Sequence, residues 1–257
     1  MNSSVESSNG SMKFAGFEHR PCRYGLFDRH GGVSQGLYAS LNVGFSVGDE
    51  AGSVLANRRL VTERLGVQVL LSARQVHGED IYLLAQPAEE DIEVDGYDAL
   101  ITRERNVGLA IQHADCQAVL LYDPVREAIG AIHSGWRGSV ANLAAKTVGR
   151  MNREFGTDPA NLQAVISPSL GPCCAEFVNY ALELPVEFQA YMDERSYFDF
   201  WRISKMQLLA CGLREEAITL PTVCTSCSPD YFSYRRACRE SGGVTGRNCS
   251  VIALSGK

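Results

Sequence analysis

The chain lacks most of the features that would classify it at a glance. No apolar run approaches the ~20 residues of a membrane helix, so no membrane partner is expected. Met1 to Ser11 has neither the basic opening nor the apolar stretch of an export signal. The Ser-rich segment 1–12 therefore reads as a disordered tail, and the chain as cytoplasmic. Basic residues do not outnumber acidic ones: 24 Lys and Arg stand against 30 Asp and Glu, a net charge of −6. That balance excludes the basic footprint of a nucleic-acid partner. There is no Walker A or dinucleotide glycine fingerprint, so any phosphate recognition falls to arginines and backbone amides. Only five histidines are present, too few for a three-copper cluster. No repeat and no Pro/Gly/Ser-rich linker divides the chain, which points to one domain over 13–257.

The residues that are present suit a packed enzyme-sized fold. The hydrophobic fraction of 45% is enough for a real core. Nine cysteines without an export signal read as reduced thiols, some in the core and some as ligands. Strands are expected at 23–28, 81–85, 97–102, 107–112, 162–167 and 250–255, and the acidic stretch 89–95 as a solvated loop. One helix runs from a cap at Ser53 to Leu65 and stops at Gly66. Another starts from a cap at Ser139, with Val140, Leu143, Ala144, Val148 and Met151 on one face. Further helical segments are expected at 175–182, 186–192 and 203–213. Interleaved strands and helices with at least one hairpin indicate a mixed α/β fold rather than a purely parallel sheet.

The hairpin carries the chemistry. Two apolar runs, 117–122 and 127–132, flank the turn Asp123-Pro124-Val125-Arg126. A symmetric loop sets Tyr122 opposite Glu127 and Cys116 opposite His133, with Cβ atoms ~5 Å apart. A facing thiol and imidazole either hold a soft or borderline metal or activate a sulfur nucleophile. His77, in Gln75-Val76-His77-Gly78, completes a His/Cys/His set. Three protein ligands with a fourth position open are the catalytic form of a zinc site, and the same donors suit copper. The rival is that His77 is an ordinary loop residue and that Cys116 and His133 pack in a core. The turn Gly135-Trp136-Arg137-Gly138 joins His133 to a helix start, where free amides and Arg137 make an anion seat. Asp95 and Asp98 offer a general base or a partner for a ligand histidine, or simply make a turn. Asp115 points away from Cys116 if the strand is regular. Cys224-Thr225-Ser226-Cys227, with Cys238 and Cys249 beyond it, holds only one C-x-x-C and makes a poor zinc ribbon. Cys173-Cys174 reads as tight packing near a turn. The basic, aromatic run 232–236 lines a pocket for a planar ring or forms a surface strand.

Read in order, these motifs form a known pattern. His30-Gly31-Gly32-Val33-Ser34, Ser40-Leu41-Asn42, Asn57-Arg58, Gln75-Val76-His77-Gly78, Asp98-Ala99-Leu100, Ala114-Asp115-Cys116, His133-Ser134-Gly135-Trp136-Arg137-Gly138, Gly171-Pro172-Cys173-Cys174 and Phe232-Ser233-Tyr234-Arg235-Arg236 follow one another. From about residue 13 onward the chain resembles the YfiH-like laccase-domain family, also called the polyphenol oxidase or multicopper-oxidase-like purine nucleoside phosphorylase family. The resemblance implies a single layered α/β/β/α domain with mixed sheets, distantly like cytotoxic-factor cysteine hydrolases. It implies metal ligands at His77, Cys116 and His133, with zinc as cofactor and copper as the alternative. It implies phosphorolysis of adenosine, inosine and methylthioadenosine, with adenosine deamination, so a purine nucleoside and phosphate as partners. Cys116, His133 and Arg58 are then catalytic, and Asn42, Gln75 and Arg137 contact substrate, in a monomer or homodimer. Ser134 departs mildly from the family's Ala and leaves the ligands untouched. The alternatives are a copper-dependent polyphenol oxidase, or a cysteine hydrolase using Cys116 and His133, with a link to editing of peptidoglycan precursors.

Overall fold

The computed structural model describes residues 21–256, with the backbone pairs 6–7 and 12–13 ahead of them. The tail expected over 1–12 therefore lies largely outside the described residues. The strands are β1 (Glu6–Ser7), β2 (Met12–Lys13), β3 (Cys22–Phe27), β4 (Val69–Arg74), β5 (Ile81–Leu84), β6 (Ile92–Asp95), β7 (Ala99–Thr102), β8 (Val107–His113), β9 (Gln117–Asp123), β10 (Ala128–Ser134), β11 (Gln163–Ile166), β12 (Ile218–Thr219) and β13 (Asn248–Leu254). The helices are α1 (Ala51–Leu65), α2 (Trp136–Val140), α3 (Leu143–Phe155), α4 (Tyr180–Glu183), α5 (Phe200–Ala210) and α6 (Tyr234–Glu240). A seven-stranded sheet runs β1-β2-β3-β13-β8-β4-β6, and a six-stranded sheet runs β12-β11-β9-β10-β7-β5. Both are mixed: β4 is parallel to β6 and β8, β5 to β7, and β11 to β12, whereas the other pairs are antiparallel.

The two sheets stack face to face. Leu71, Leu109, Ile111 and Ile252 of the first meet Leu100, Leu120, Ile129 and Val165 of the second in one buried cluster. Alternate residues of the same strands point outward and are covered by helices. Helix α1 sets Val61 and Leu65 on Leu70, Ala110 and Val251. Helix α3 sets Leu143, Val148 and Met151 on Ile101, Val119 and Ile132, with Leu208 of α5 beside them. Both faces of each sheet are thus buried, which is why β8, β9, β10 and β13 read as nearly continuous apolar runs. The layers are α/β/β/α, as expected. Among the described residues no helix is long and apolar enough to cross a membrane.

Several local expectations change. Residues 92–95 pair with β4 as a strand, because β4 needs a partner on its open edge. Strand β4 follows the left-handed Gly66 by three residues and is not among the expected strands. The segment expected to be helical over 175–182 keeps one short helix, α4, and 186–191 is a 3-10 helix. Ser139 lies inside α2. The cap of the long helix is Asn142, in the left-handed region (φ 50°), whose side chain accepts the Ala145 amide. Helix α2 is one short turn, so the expected anion seat does not sit at the start of the long helix.

The hairpin register is shifted by two residues. Asp123 pairs with Ala128, and His133 faces Ala118 rather than Cys116. The cause is the loop. The Asp123 carboxylate accepts the amides of Val125 and Arg126, and Glu127 takes positive φ, so the four-residue loop sits one position further along the chain than a symmetric reading places it. A shift of two preserves the face, so Cys116 remains diagonal to His133.

Helix α3 docks through Met151, which is fully buried, and Gly130 makes room for it: a Cβ there would lie 3.1 Å from the Met151 sulfur. Met151→Ala is expected to cost about 2–5 kcal/mol. Urea unfolding should show this as a lower midpoint with an unchanged slope.

Candidate metal centre

The site forms where β9 begins and β10 ends. Cys116, just ahead of β9, and His133, near the end of β10, meet the loop 75–80, which brings in His77. Ligand atoms of His77, Cys116 and His133 all lie within 4.8 Å of one another. The Cys116 Sγ is 3.8 Å from His77 Nε2, and the two imidazoles meet edge to face with centroids 4.8 Å apart. His77 is in the left-handed region (φ 59°), held there because its loop is folded around a single carboxylate.

That carboxylate is Asp98, which is 1% exposed. It accepts the amides of Val76 (3.1 Å), His77 (3.0 Å) and Gly78 (2.7 Å), and its Oδ1 lies 2.7 Å from His133 Nδ1. Binding Nδ1 leaves Nε2 of His133 to face Cys116 and His77, the arrangement of a ligand histidine oriented by a carboxylate. Gly135 closes the cluster. A Cβ there would lie 3.0 Å from both Cys116 Sγ and His77 Cδ2. A thiolate and two imidazoles converging on one point, with no fourth protein donor among the described residues, fit a borderline divalent ion with an open position.

The electrostatics follow from burial and pairing. Burial pushes the Cys116 thiol up, but the charge and hydrogen bond of His133, with those of His77, outweigh it and bring it to about 6. Burial opposes a charged His133, but Cys116 and Asp98 prevail and raise it to about 9. Burial also works against Asp98, yet the bonds from His133 and the loop amides hold it below the usual carboxylate range. Without metal, thiolate and imidazolium therefore coexist between about 6 and about 9. The depressed thiol contributes stability that is lost as pH falls through its folded value. The raised imidazole contributes stability that is lost as pH rises through its own.

Two cavities meet at the cluster, and His77 and Cys116 line both. One, of about 200 Å³, is polar and includes Gln75, Gln112, His113 and Arg247. The other, of about 270 Å³, is aromatic and includes Trp136, Phe177, Phe200 and Tyr234, with Arg137 and Arg235 at its rim. Helix α6 starts at Tyr234, so the run 232–236 is not a surface strand, and its Tyr234 and Arg235 line the aromatic cavity.

The other sequence-selected residues are placed unequally. Gln75 lies in the polar wall and exchanges two hydrogen bonds with the Gln112 backbone, at 2.8 and 2.9 Å. Arg137 lies at the aromatic rim, stacked over Trp136. Arg58 does not reach the cluster. It is buried behind the polar wall, bonded to Val43 O, Ser72 Oγ and Glu93 Oε2 and stacked on Phe45. Asn42 is also fully buried, binding Asp49 and the backbone of Gly44 and Arg247. Both hold the wall from behind. Asp115 is not in regular strand (φ 88°); it accepts Thr225 Oγ1 and the Arg235 amide. Sequence reasoning missed His113, Arg247, Phe177 and Phe200. Arg247 is 205 residues from the Asn42 that anchors it, and no spacing signal spans that distance.

Two outcomes follow. Asp98→Asn should weaken metal affinity about 10–100-fold, read by competition with a chromogenic chelator. In metal-stripped protein, alkylation of Cys116 by iodoacetamide should reach its plateau above about pH 6 and fall below it. An ordinary thiol would keep gaining rate up to about 9.

Comparison with known proteins places this geometry in a family. A Bacteroides thetaiotaomicron protein named purine nucleoside phosphorylase is 36% identical over 234 residues, covering 84% of this chain and 87% of that protein. A Streptomyces coelicolor protein of the same name is 38% identical over 230 residues, 87% of this chain and 93% of its own length. The crystal structure of YlmD from Geobacillus stearothermophilus matches with a TM-score of 0.85 at 28% identity, over 99% of this chain and 100% of that one. That of the hypothetical protein YfiH from Bacillus licheniformis matches at 0.87 and 28%, over 96% and 97%. The multi-copper polyphenol oxidoreductase laccase family matches residues 23–255, and this chain belongs to it.

Proposed function

We propose that the chain is a zinc-dependent purine nucleoside phosphorylase acting on adenosine, inosine and methylthioadenosine, with adenosine deamination at the same site. One observation carries this reading: an open His77/Cys116/His133 cluster stands between an aromatic cavity and a polar one. The names of the relatives support the phosphorylase part of it.

His77, Cys116 and His133 hold the ion. When bound, zinc supplies a Lewis acid that polarises an oxygen of a reactant. The chain's own residues do the rest. Trp136, Phe177, Phe200 and Tyr234 offer stacking faces for a flat purine, and Arg137 and Arg235 border them. Arg247 puts a guanidinium in the polar cavity, where phosphate is attracted and oriented. Arg58 and Asn42 act as positioning residues by fixing that cavity's wall. His113, driven by burial down to about 3, stays neutral and does not add a competing charge. Asp98 keeps His133 in the tautomer that the cluster needs. In phosphorolysis a phosphate oxygen bonds to C1′ as the bond from C1′ to the purine nitrogen breaks, giving free base and ribose 1-phosphate. In deamination water replaces the amine and ammonia leaves.

The test is adenosine with zinc-loaded protein, with and without phosphate, followed by chromatography. Adenine that requires phosphate, and inosine that does not, are expected. Chelation should abolish both. Release of neither product by fully loaded protein would overturn the proposal, and activity surviving chelation but lost on thiol alkylation would favour Cys116 as a nucleophile. Elemental analysis of protein purified without added metal separates zinc from copper.

A further inference from the structure

Four cysteines outside the site converge on one point. Cys173 and Cys174 lie in the turn that follows β11, and Cys224 and Cys227 lie in the loop before α6. Their sulfur atoms are all within 4.8 Å of one another. Cys227 Sγ is 3.6 Å from Cys173 Sγ and 3.5 Å from Cys174 Sγ. The pairing of Cys173-Cys174 with the C-x-x-C corrects the packing role expected for the former. Cys238 and Cys249 are not part of the group.

The backbone brings the two segments together without help from the sulfurs. Ser169 and Cys224 form a parallel bridge, with the Ser169 amide donating to Val223 O and the Thr225 amide donating to Ser169 O. Gly171 permits the approach, since a Cβ there would lie 2.7 Å from the Trp201 ring and 3.0 Å from Cys224 Cβ. The Gly171 amide points at Cys224 Sγ, 3.3 Å away, as amides do toward a metal-bound thiolate. Arg236 gathers the carbonyls of Thr225, Ser226 and Ser228, which fixes the arc of the C-x-x-C.

These separations identify the occupant. Four thiolates ~2.3 Å from a tetrahedral ion stand about 3.8 Å from each other, close to the two measured edges. A disulfide needs one partner at ~2.05 Å, whereas Cys227 lies nearly equidistant from two. Core packing does not account for the group either, because Cys173 and Cys227 are exposed and Cys174 and Cys224 only partly buried.

We propose that Cys173, Cys174, Cys224 and Cys227 form a closed, structural tetrathiolate site for one zinc ion, separate from the His77/Cys116/His133 cluster. Binding replaces the thiol protons with four Zn–S bonds, releases those protons to solvent and changes no oxidation state. The site ties the 170–177 turn to the 224–228 loop. Those segments in turn hold Asp115, which receives the Leu170 amide on its carbonyl and Thr225 Oγ1 on its carboxylate, directly before Cys116. The ion thus braces the aromatic cavity from outside, as a positioning element.

The test uses the full chain carrying Cys116→Ala, so that the other thiol contributes nothing. Loaded with cobalt(II), this variant should bind about one ion tightly and show the intense visible bands of a tetrahedral cobalt thiolate. Adding Cys224→Ser and Cys227→Ser should abolish those bands, while far-ultraviolet circular dichroism reports whether the chain remains folded. Native mass spectrometry of the unsubstituted protein should find about two zinc ions per chain. Absence of the thiolate bands in the folded Cys116→Ala protein overturns the proposal whatever the double variant does. So does an intact mass 2 Da per pair below that of the reduced chain after purification under reducing conditions, the mark of a disulfide.

Discussion

The Asp98 carboxylate is the constraint around which the site is built. A buried carboxylate is costly unless every lone pair is used, and Asp98 uses them on three successive amides of the 76–78 loop and on the His133 ring. One side chain thereby fixes two ligands from different parts of the chain. It bends the loop so that His77 points inward, and it turns His133 so that its far nitrogen does too. Its own placement comes from β7, which pairs with β10 and carries Asp98 just ahead of Ala99, the partner of Ile132. The sheet register therefore sets the metal geometry.

From that point the molecule divides its labour between the two sheets. The seven-stranded sheet and the loops packed on α1 build the polar cavity. There Asn57 ties Val33, Ser34, Ser40 and Asn42 together, while Arg58 spans Val43, Ser72 and Glu93. These polar residues occupy the inward face of α1, which costs the helix amphipathicity and gives the loop a rigid back. The six-stranded sheet and the C-terminal third build the aromatic cavity, where Phe177 packs edge to face on Phe198 behind it and at a tilt on Phe200. Cys116 and His77 stand at the seam and line both cavities.

The sequence was most legible where physics is local. Strands buried on both faces announce themselves as apolar runs, and Gly66 marks the end of α1 because only a left-handed residue closes it. The hairpin argument succeeded in its face and failed in its register. Alternation is set by the pleat, whereas the position of the four-residue loop is decided by Asp123 and its bonds to two amides. The edge strand β6 was harder, since its identity depends on a neighbour already in place. Arg58 and Asn42 show the limit for site residues: the motif marks them as important but not whether they face a ligand or the wall behind it.

The residues alone determined the donor types and the mixed α/β class, and the family resemblance implied the layering. Tertiary structure alone decided which donors meet. Asn42 with Arg247, Cys116 with His77, and the pair 173–174 with the pair 224–227 are brought together by sheet register and by a bridge between loops. Their separations in sequence carry no periodic signal. A ligand set is a statement about distance in space, and spacing along a chain reports that distance only within one helix or one hairpin.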